Sequence, residues 1–280
     1  MSTLTGHRHS PARATASSSH GPGTLAPSLR AVSVGARRLL TARGTREVVL
    51  LAALWIAYSA SRFIADDDLA SARSRATDLF HVERYLHLDI EGRLNHALTP
   101  ITEIAVPMSF WYASLHYIVT PAVLVFLFVR HRAEYPRARN ALVIGSAIGL
   151  VCYMLIPTAP PRLMPGGHYL DALARTASYG WWTNHASAPA GFGQMTNELA
   201  AMPSLHVGWT VWVAWAIWRH TNLVGRAVAC MYVAGTSLVV IATGNHWLLD
   251  AVAGAAVVAV GIVVSGRIAA GQPGYASADT

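Results

Sequence analysis

Two short stretches of this chain hold side chains of reactive type at telling distances. Ala201-Met202-Pro203-Ser204-Leu205-His206 places a hydroxyl and an imidazole just after a proline, and Thr243-Gly244-Asn245-His246-Trp247-Leu248-Leu249-Asp250 places a second imidazole four residues before a carboxylate. A spacing of four puts two side chains on one helix face, so Asp250 can hold one ring nitrogen of His246 and leave the other free to attack. His206, from another segment, can then protonate a leaving alkoxide as general acid. Pro203 suits the first turn of a helix, where Ser204 and Leu205 would offer free amides, and Ser204 a hydroxyl, to an anion at the positive end of the helix dipole. Arg162, in Pro160-Pro161-Arg162, adds a guanidinium able to grip two non-bridging oxygens. The chemistry this set suits is phosphoryl transfer through a phosphohistidine at His246, resolved by water or by an acceptor alcohol.

Other chemistries fit less well. Ser204 and His206 are two apart and do not face each other on a helix, which argues against a serine nucleophile. Two histidines and an aspartate could hold a metal, with His168 and His185 in the long loop 158–202, but no His-Glu-x-x-His or clustered carboxylate pattern appears. The expectation is therefore a site with no metal and no cofactor. Taken singly, each of these side chains could also be an interfacial anchor; their convergence is what argues for a site.

The elements that must position these residues are apolar. Of 280 residues 53% are hydrophobic and 12% charged, and the mean hydropathy is +0.37, against roughly 25% charged residues in soluble domains. A polytopic membrane protein follows. All 21 basic residues are arginines, against 14 acidic ones, and seven (Arg8, Arg13, Arg30, Arg37, Arg38, Arg43, Arg46) precede the first acidic residue. The excess charge thus belongs to a tail, not to a nucleic-acid-binding face. Cys152 and Cys230 sit in apolar runs without a partner at redox or metal spacing and read as buried thiols.

Residues 1–45 read as a disordered Arg-rich tail, 46–268 as one membrane domain, and 269–280 as a second short tail. Six apolar segments, near 47–65, 109–130, 140–157, 203–219, 225–243 and 247–266, approach the ~20 residues a bilayer requires. The fold class expected is all-α, a six-transmembrane-helix bundle with outer-face amphipathic helices. The amphipathic part is residues 66–99, with N-caps at Asp66–Asp68 and Asp89 and a face formed by Ala72, Ala76, Leu79, Phe80 and Glu83. Arg130, Arg132, Arg137, Arg139, Arg219, Arg226 and Arg267 fall on the same side as the tail, which predicts cytoplasmic termini in a plasma-membrane protein. At 1.5 Å per residue the fourth segment descends about 24 Å and the fifth returns as far, so His206 and His246 meet at the outer face. The third segment brings Arg162 to the same mouth.

These motifs resemble those of the type-2 phosphatidic acid phosphatase superfamily, whose signatures are Lys-x6-Arg-Pro, Pro-Ser-Gly-His and Ser-Arg-x5-His-x3-Asp. Pro203-Ser204-Leu205-His206 stands for the second and His246-x3-Asp250 for the third; the first is loosened, with Leu155 in place of lysine, and Val239 and Val240 replace Ser-Arg. Leucine for glycine and the missing arginine look similar to the inositolphosphotransferase branch, which includes inositol phosphorylceramide synthases. The resemblance covers about 140–266. It implies a metal-independent reaction, a phosphohistidine at His246, acid catalysis by His206, and phosphate contacts from Arg162 and Ser204. For the missing arginine, Arg62 and Arg175, both on the outer side, are the candidate substitutes.

The expected function is hydrolysis or transfer of phosphate on a lipid-linked ester at the outer membrane face, with the lipid phosphate and the bilayer as partners and no nucleic acid. Alternatives are an inositol-phosphate or other headgroup transferase, a non-catalytic lipid or anion transporter, and a scaffold bearing a relic of the motif. Tyr112 and His116, one helical turn apart, read either as headgroup contacts or as an aromatic-belt pair. The loop with Trp181, Trp182 and Phe192 reads either as dipping into the membrane interface or as covering the site, with Gly166-Gly167 and Gly191-x-Gly193 permitting movement, while Trp209, Trp212 and Trp215 read as packing.

Overall fold

The computed structural model describes residues 42–61, 68–182 and 198–270. The chain divides into units 1–46 and 47–280, and the site lies wholly in the second. Nine α-helices are described: α1 (Ala42–Ser61), α2 (Leu69–Tyr85), α3 (Glu91–Leu98), α4 (Thr102–Arg130), α5 (Tyr135–Leu155), α6 (Ala172–Arg175), α7 (Leu205–Ile217), α8 (Leu223–Ala242) and α9 (Leu248–Ala270). The described residues form no strand beyond an isolated parallel bridge between Thr158 and Ala200.

Helices α4, α5, α8 and α9 are long and apolar enough to cross a membrane. Leu155, Leu223, Val224, Met231, Val260 and Val263 project from them exposed, as expected where lipid rather than water covers a helix that is apolar all round. These four account for the segments near 109–130, 140–157, 225–243 and 247–266 and mark a membrane-embedded protein. The segment near 203–219 differs: α7 has only 13 residues, about 20 Å of rise. It is short because Ser204 caps its start and Asn222 already caps α8, accepting from the Gly225 amide. Helix α1, over the first expected span, is not among the four; Arg43, Arg46 and Glu47 occupy its first turns.

The polar stretch forms α2 and α3. Asp68 caps α2 by accepting from the Ala70 amide; Asp66 and Asp67 lie outside the described residues. Asp89 is not a cap, since α3 starts at Glu91 directly after Ile90. On α2 the face holding Ala72, Ala76 and Glu83 is fully buried, and Leu79 and Phe80 pack with it against Ala159, Leu199 and Trp247. This helix therefore lies over the bundle. Cys152 is half-buried and Cys230 exposed, which corrects the expectation of two buried thiols: α8 turns Cys230 to its outer, apolar face.

Helix α9 packs closely on α5 and α7 because glycines line the contacts. A Cβ at Gly254 would run into the Ser204 carbonyl, and one at Gly208 would meet the Gly254 carbonyl oxygen at 2.7 Å. Gly254 thus lets the start of α7 lie against α9. Gly254→Val is expected to cost about 1–3 kcal/mol by overpacking, read as a lowered thermal midpoint in detergent. An unchanged midpoint would mean the close contact is not required.

Candidate active site

The start of α7, the α8–α9 turn and the segment after α5 converge at one end of the bundle. Ser204 is fully buried; its amide donates to the Asp250 carbonyl at 2.8 Å, and its Oγ accepts from the Val207 amide at 3.5 Å. The hydroxyl caps α7. Pro203, which follows a cis peptide bond, lies outside the helix, and its carbonyl accepts from the Tyr153 hydroxyl at 2.7 Å. The sequence expectation thus shifts by one residue: the first-turn amides with no carbonyl a turn earlier belong to Leu205 and His206, not to Ser204.

His246 stands two residues before α9, so its relation to Asp250 is not that of two residues on a helix face. Its buried Nδ1 lies 2.8 Å from the Ala201 carbonyl oxygen and 3.6 Å from Asp250 Oδ2. A carbonyl oxygen only accepts, so Nδ1 carries the proton and donates, and the neutral ring keeps its lone pair on Nε2. Ala201, in the loop before α7, is therefore the direct hydrogen-bond partner. Asp250, fully buried, spends Oδ2 on the Trp247 amide at 2.8 Å.

Two further carboxyls reach the same helix end. Glu91 accepts from the Leu248 amide at 2.9 Å and Glu83 from the Leu249 amide at 2.7 Å, so three successive amides of the turn that follows His246 are each held by a carboxyl from a different element. Both glutamates are fully buried and interact with each other. Burial foremost, then the neighbouring Glu91, pushes the Glu83 carboxyl up to about 8; burial raises Glu91 as well. The remaining oxygens, Glu83 Oε2 and Glu91 Oε2, find no donor among the described residues, a deficit that one proton held between the two carboxyls removes. Sequence reasoning assigned these residues no role; the available signal was a glutamate, Glu83, within the apolar stripe of α2.

His206 lies beside His246, with ring centroids 5.8 Å apart. The Tyr112 ring stacks on His206 at 4.3 Å and the His116 ring meets it edge-on at the same distance. Tyr112 and His116 are buried, which overturns the aromatic-belt reading: α4 turns them inward because the rings they touch are inside. His206 Nε2 is buried and has no hydrogen-bond partner among the described residues. Trp212 and Trp209 serve packing, donating to the Ala138 carbonyl and the Ser146 hydroxyl.

Arg162 is tied to the same turn. Its Nε donates to Asn245 Oδ1 at 3.0 Å and its amide to the Gly244 carbonyl at 2.9 Å. The guanidinium also faces Asp171 at 3.4 Å and Glu198 at 3.9 Å, both longer than a tight bidentate pair. Gly244 has a φ of +76°, and a Cβ there would meet the Leu170 carbonyl oxygen at 3.0 Å; glycine fits this turn on both counts. Arg73 and Arg75 of α2 donate to the carbonyls of Leu163 and Pro157, bracketing the segment that carries Arg162. Of the suggested substitute arginines, Arg175 is exposed, and Arg62, like His185, Phe192 and the Gly191-x-Gly193 pair, lies outside the described residues.

A family model described as the PAP2 superfamily matches residues 77–264. The chain belongs to the PAP2 superfamily. No curated protein and no solved structure matches it. PAP2 superfamily members are generally phosphatases or phosphotransferases, and membership supports an activity of that general type. Within this PAP2 chain Val239 and Val240, at the Ser-Arg positions, are buried in the apolar core with Ile241 and Ala242. That part of α8 supplies packing and no cation.

Proposed function

We propose that this PAP2 protein hydrolyses or transfers a phosphate group on a lipid-linked phosphate ester, at the outer membrane face, through a phosphohistidine at His246. The observation that carries this reading is the His246 ring, held through Nδ1 by Ala201 with Nε2 left basic, beside the unpartnered Nε2 of His206. In the first step Nε2 of His246 forms a bond to phosphorus, the phosphorus–oxygen bond to the lipid alcohol breaks, and the departing oxygen takes a proton from His206. Water or an alcohol then attacks phosphorus, returns a proton to His206 and breaks the nitrogen–phosphorus bond. Asp250 holds the turn behind His246 and adds negative charge near its imidazolium. Arg162 and the amides at the start of α7, capped by Ser204, bind the phosphate oxygens; a phosphate making short, paired contacts displaces the long contacts of Arg162 to Asp171 and Glu198.

In this reading all six apolar segments lie in the bilayer, with α7 short or recessed, and both tails are cytoplasmic. Transfer to inositol or another headgroup alcohol is the second reading, favoured by Leu205 and by the buried Val239 and Val240: an arginine-poor site suits a phosphodiester better than a dianionic monoester. Incubating the purified protein with labelled lipid phosphates, with and without inositol, separates the readings. Free phosphate indicates hydrolysis, a new phosphodiester transfer, and neither a transporter or a relic. Initial rates are expected to survive EDTA at a temperature where the treated protein stays folded, and their loss from the folded protein would refute a metal-free mechanism.

A further inference from the structure

At the opposite end of α7 a second cluster gathers outside the site described above. His131 follows α4, Glu134 precedes α5, and His220 ends the turn Trp218–His220 that extends α7. One ligand atom from each of the three lies within 4.8 Å of the others. His220 Nε2 is 3.2 Å from Glu134 Oε2, and the His131 and His220 ring centroids are 3.6 Å apart.

We propose that His131, Glu134 and His220 form a binding site for a zinc-like divalent transition-metal ion, which ties the α4–α5 turn to the end of α7. Nitrogen and oxygen ligands about 2.0–2.1 Å from a tetrahedral ion stand about 3.3 Å from one another; the 3.2 Å between His220 and Glu134 matches that spacing, and His131 offers a ligand atom within 4.8 Å of both. A simple ion pair accounts for His220 and Glu134. It does not account for a second imidazole with a ligand atom in the same space. Phe126 packs against both rings, at 5.0 and 6.1 Å, and His220 is 8% exposed against 47% for Glu134, so the site is walled on one side and open through the carboxylate, where water completes the coordination. The backbone also favours a cation: His131 is the C-terminal cap of α4, its amide donating to the Leu127 carbonyl, and His220 closes α7, both at the negative ends of helix dipoles. The neighbouring Arg132 and Arg226 are drawn away, Nε of each donating to a carbonyl and each guanidinium lying over its own aromatic ring.

This cluster lies roughly 20 Å along α7 from His206, so the ion would brace the shortest helix of the bundle without touching the chemistry. The test uses the full-length protein in detergent, with the tail residues His7, His9 and His20 replaced by alanine throughout so that they contribute no ligands. Titration with zinc chloride by calorimetry is expected to show one saturable site per chain and a rise in thermal midpoint, and cobalt(II) is expected to give the visible bands of a tetrahedral complex. Glu134→Gln and His220→Ala should each weaken zinc at least about tenfold, the loss that even an outer-shell partner can cause, and abolish the rise in midpoint. Zinc binding that is absent, or unchanged in Glu134→Gln, overturns the proposal; that variant changes an exposed side chain and decides the matter even if His220→Ala fails to fold. The readout is binding, so it stands or falls separately from the phosphoryl-transfer reading.

Discussion

His246→Asn is expected to lower phosphate release, or transfer, by at least about 10⁴-fold, the scale of loss when a covalent nucleophile is removed. Asparagine is the informative replacement because its amide can still donate to the Ala201 carbonyl, the bond that Nδ1 makes at 2.8 Å, while nothing remains where Nε2 stood. The fold is therefore held nearly constant and only the attacking atom is lost. His246→Ala would add an orphaned Ala201 carbonyl and a cavity among buried residues, so part of its effect would be structural. Turnover by a folded His246→Asn protein at near the parental rate would exclude the phosphohistidine. Trapping labelled phosphate on the parental chain but not on the variant would locate the intermediate directly.

The second large effect is expected behind the site, in the Glu83–Glu91 pair. Glu83→Ala removes the acceptor of the Leu249 amide and the proton partner of Glu91, leaving two buried polar groups unsatisfied, at a cost of roughly 3 kcal/mol. The same pair makes stability depend on pH. Because Glu83 rises from 4.5 to about 8 on folding, the folded state holds a proton that the unfolded state releases above about 4.5. Its contribution is fully present below the unfolded value, declines as pH rises from 4.5 to about 8, and falls no further beyond. The slope is at most about 1.4 kcal/mol per pH unit for one proton. In Glu83→Gln the amide still accepts from Leu249 and donates to Glu91 without titrating, so the decline in thermal midpoint between pH 5 and 8 should flatten. A parental midpoint that rises over this range would show that the pair is not protonated.

Much of the site was legible because its residue types announce themselves. Ser204, His206 and His246 are scarce polar groups beside apolar runs, and the structure gathers His206, His246, Asp250 and Arg162 at one end of the bundle. What they touch was not legible. The spacing of His246 and Asp250 suggested a shared helix face, but α9 starts only at Leu248, and the atom nearest Nδ1 is a backbone carbonyl, which carries no signature in a sequence. Tyr112 and His116 looked like residues of a membrane surface because periodicity reports which face they share, not what that face meets. Glu83 could be placed on the apolar face of its helix but neither it nor Glu91 could be given a role, because carboxylates on short amphipathic helices ordinarily face water; only contact with α9 makes them buried caps.

By itself the sequence determined an all-helical membrane-embedded chain of the PAP2 superfamily, with an activity of general phosphatase or phosphotransferase type, since apolar runs and motif spacing are local properties. The tertiary structure alone decided that Ala201 holds His246, that Tyr112 stacks on His206 while His116 meets it edge-on, that Gly254 admits the start of α7, and that three carboxyls share one helix end. These are contacts between residues far apart in the chain, chosen by shape and by the need of every buried donor for an acceptor, which no single segment encodes.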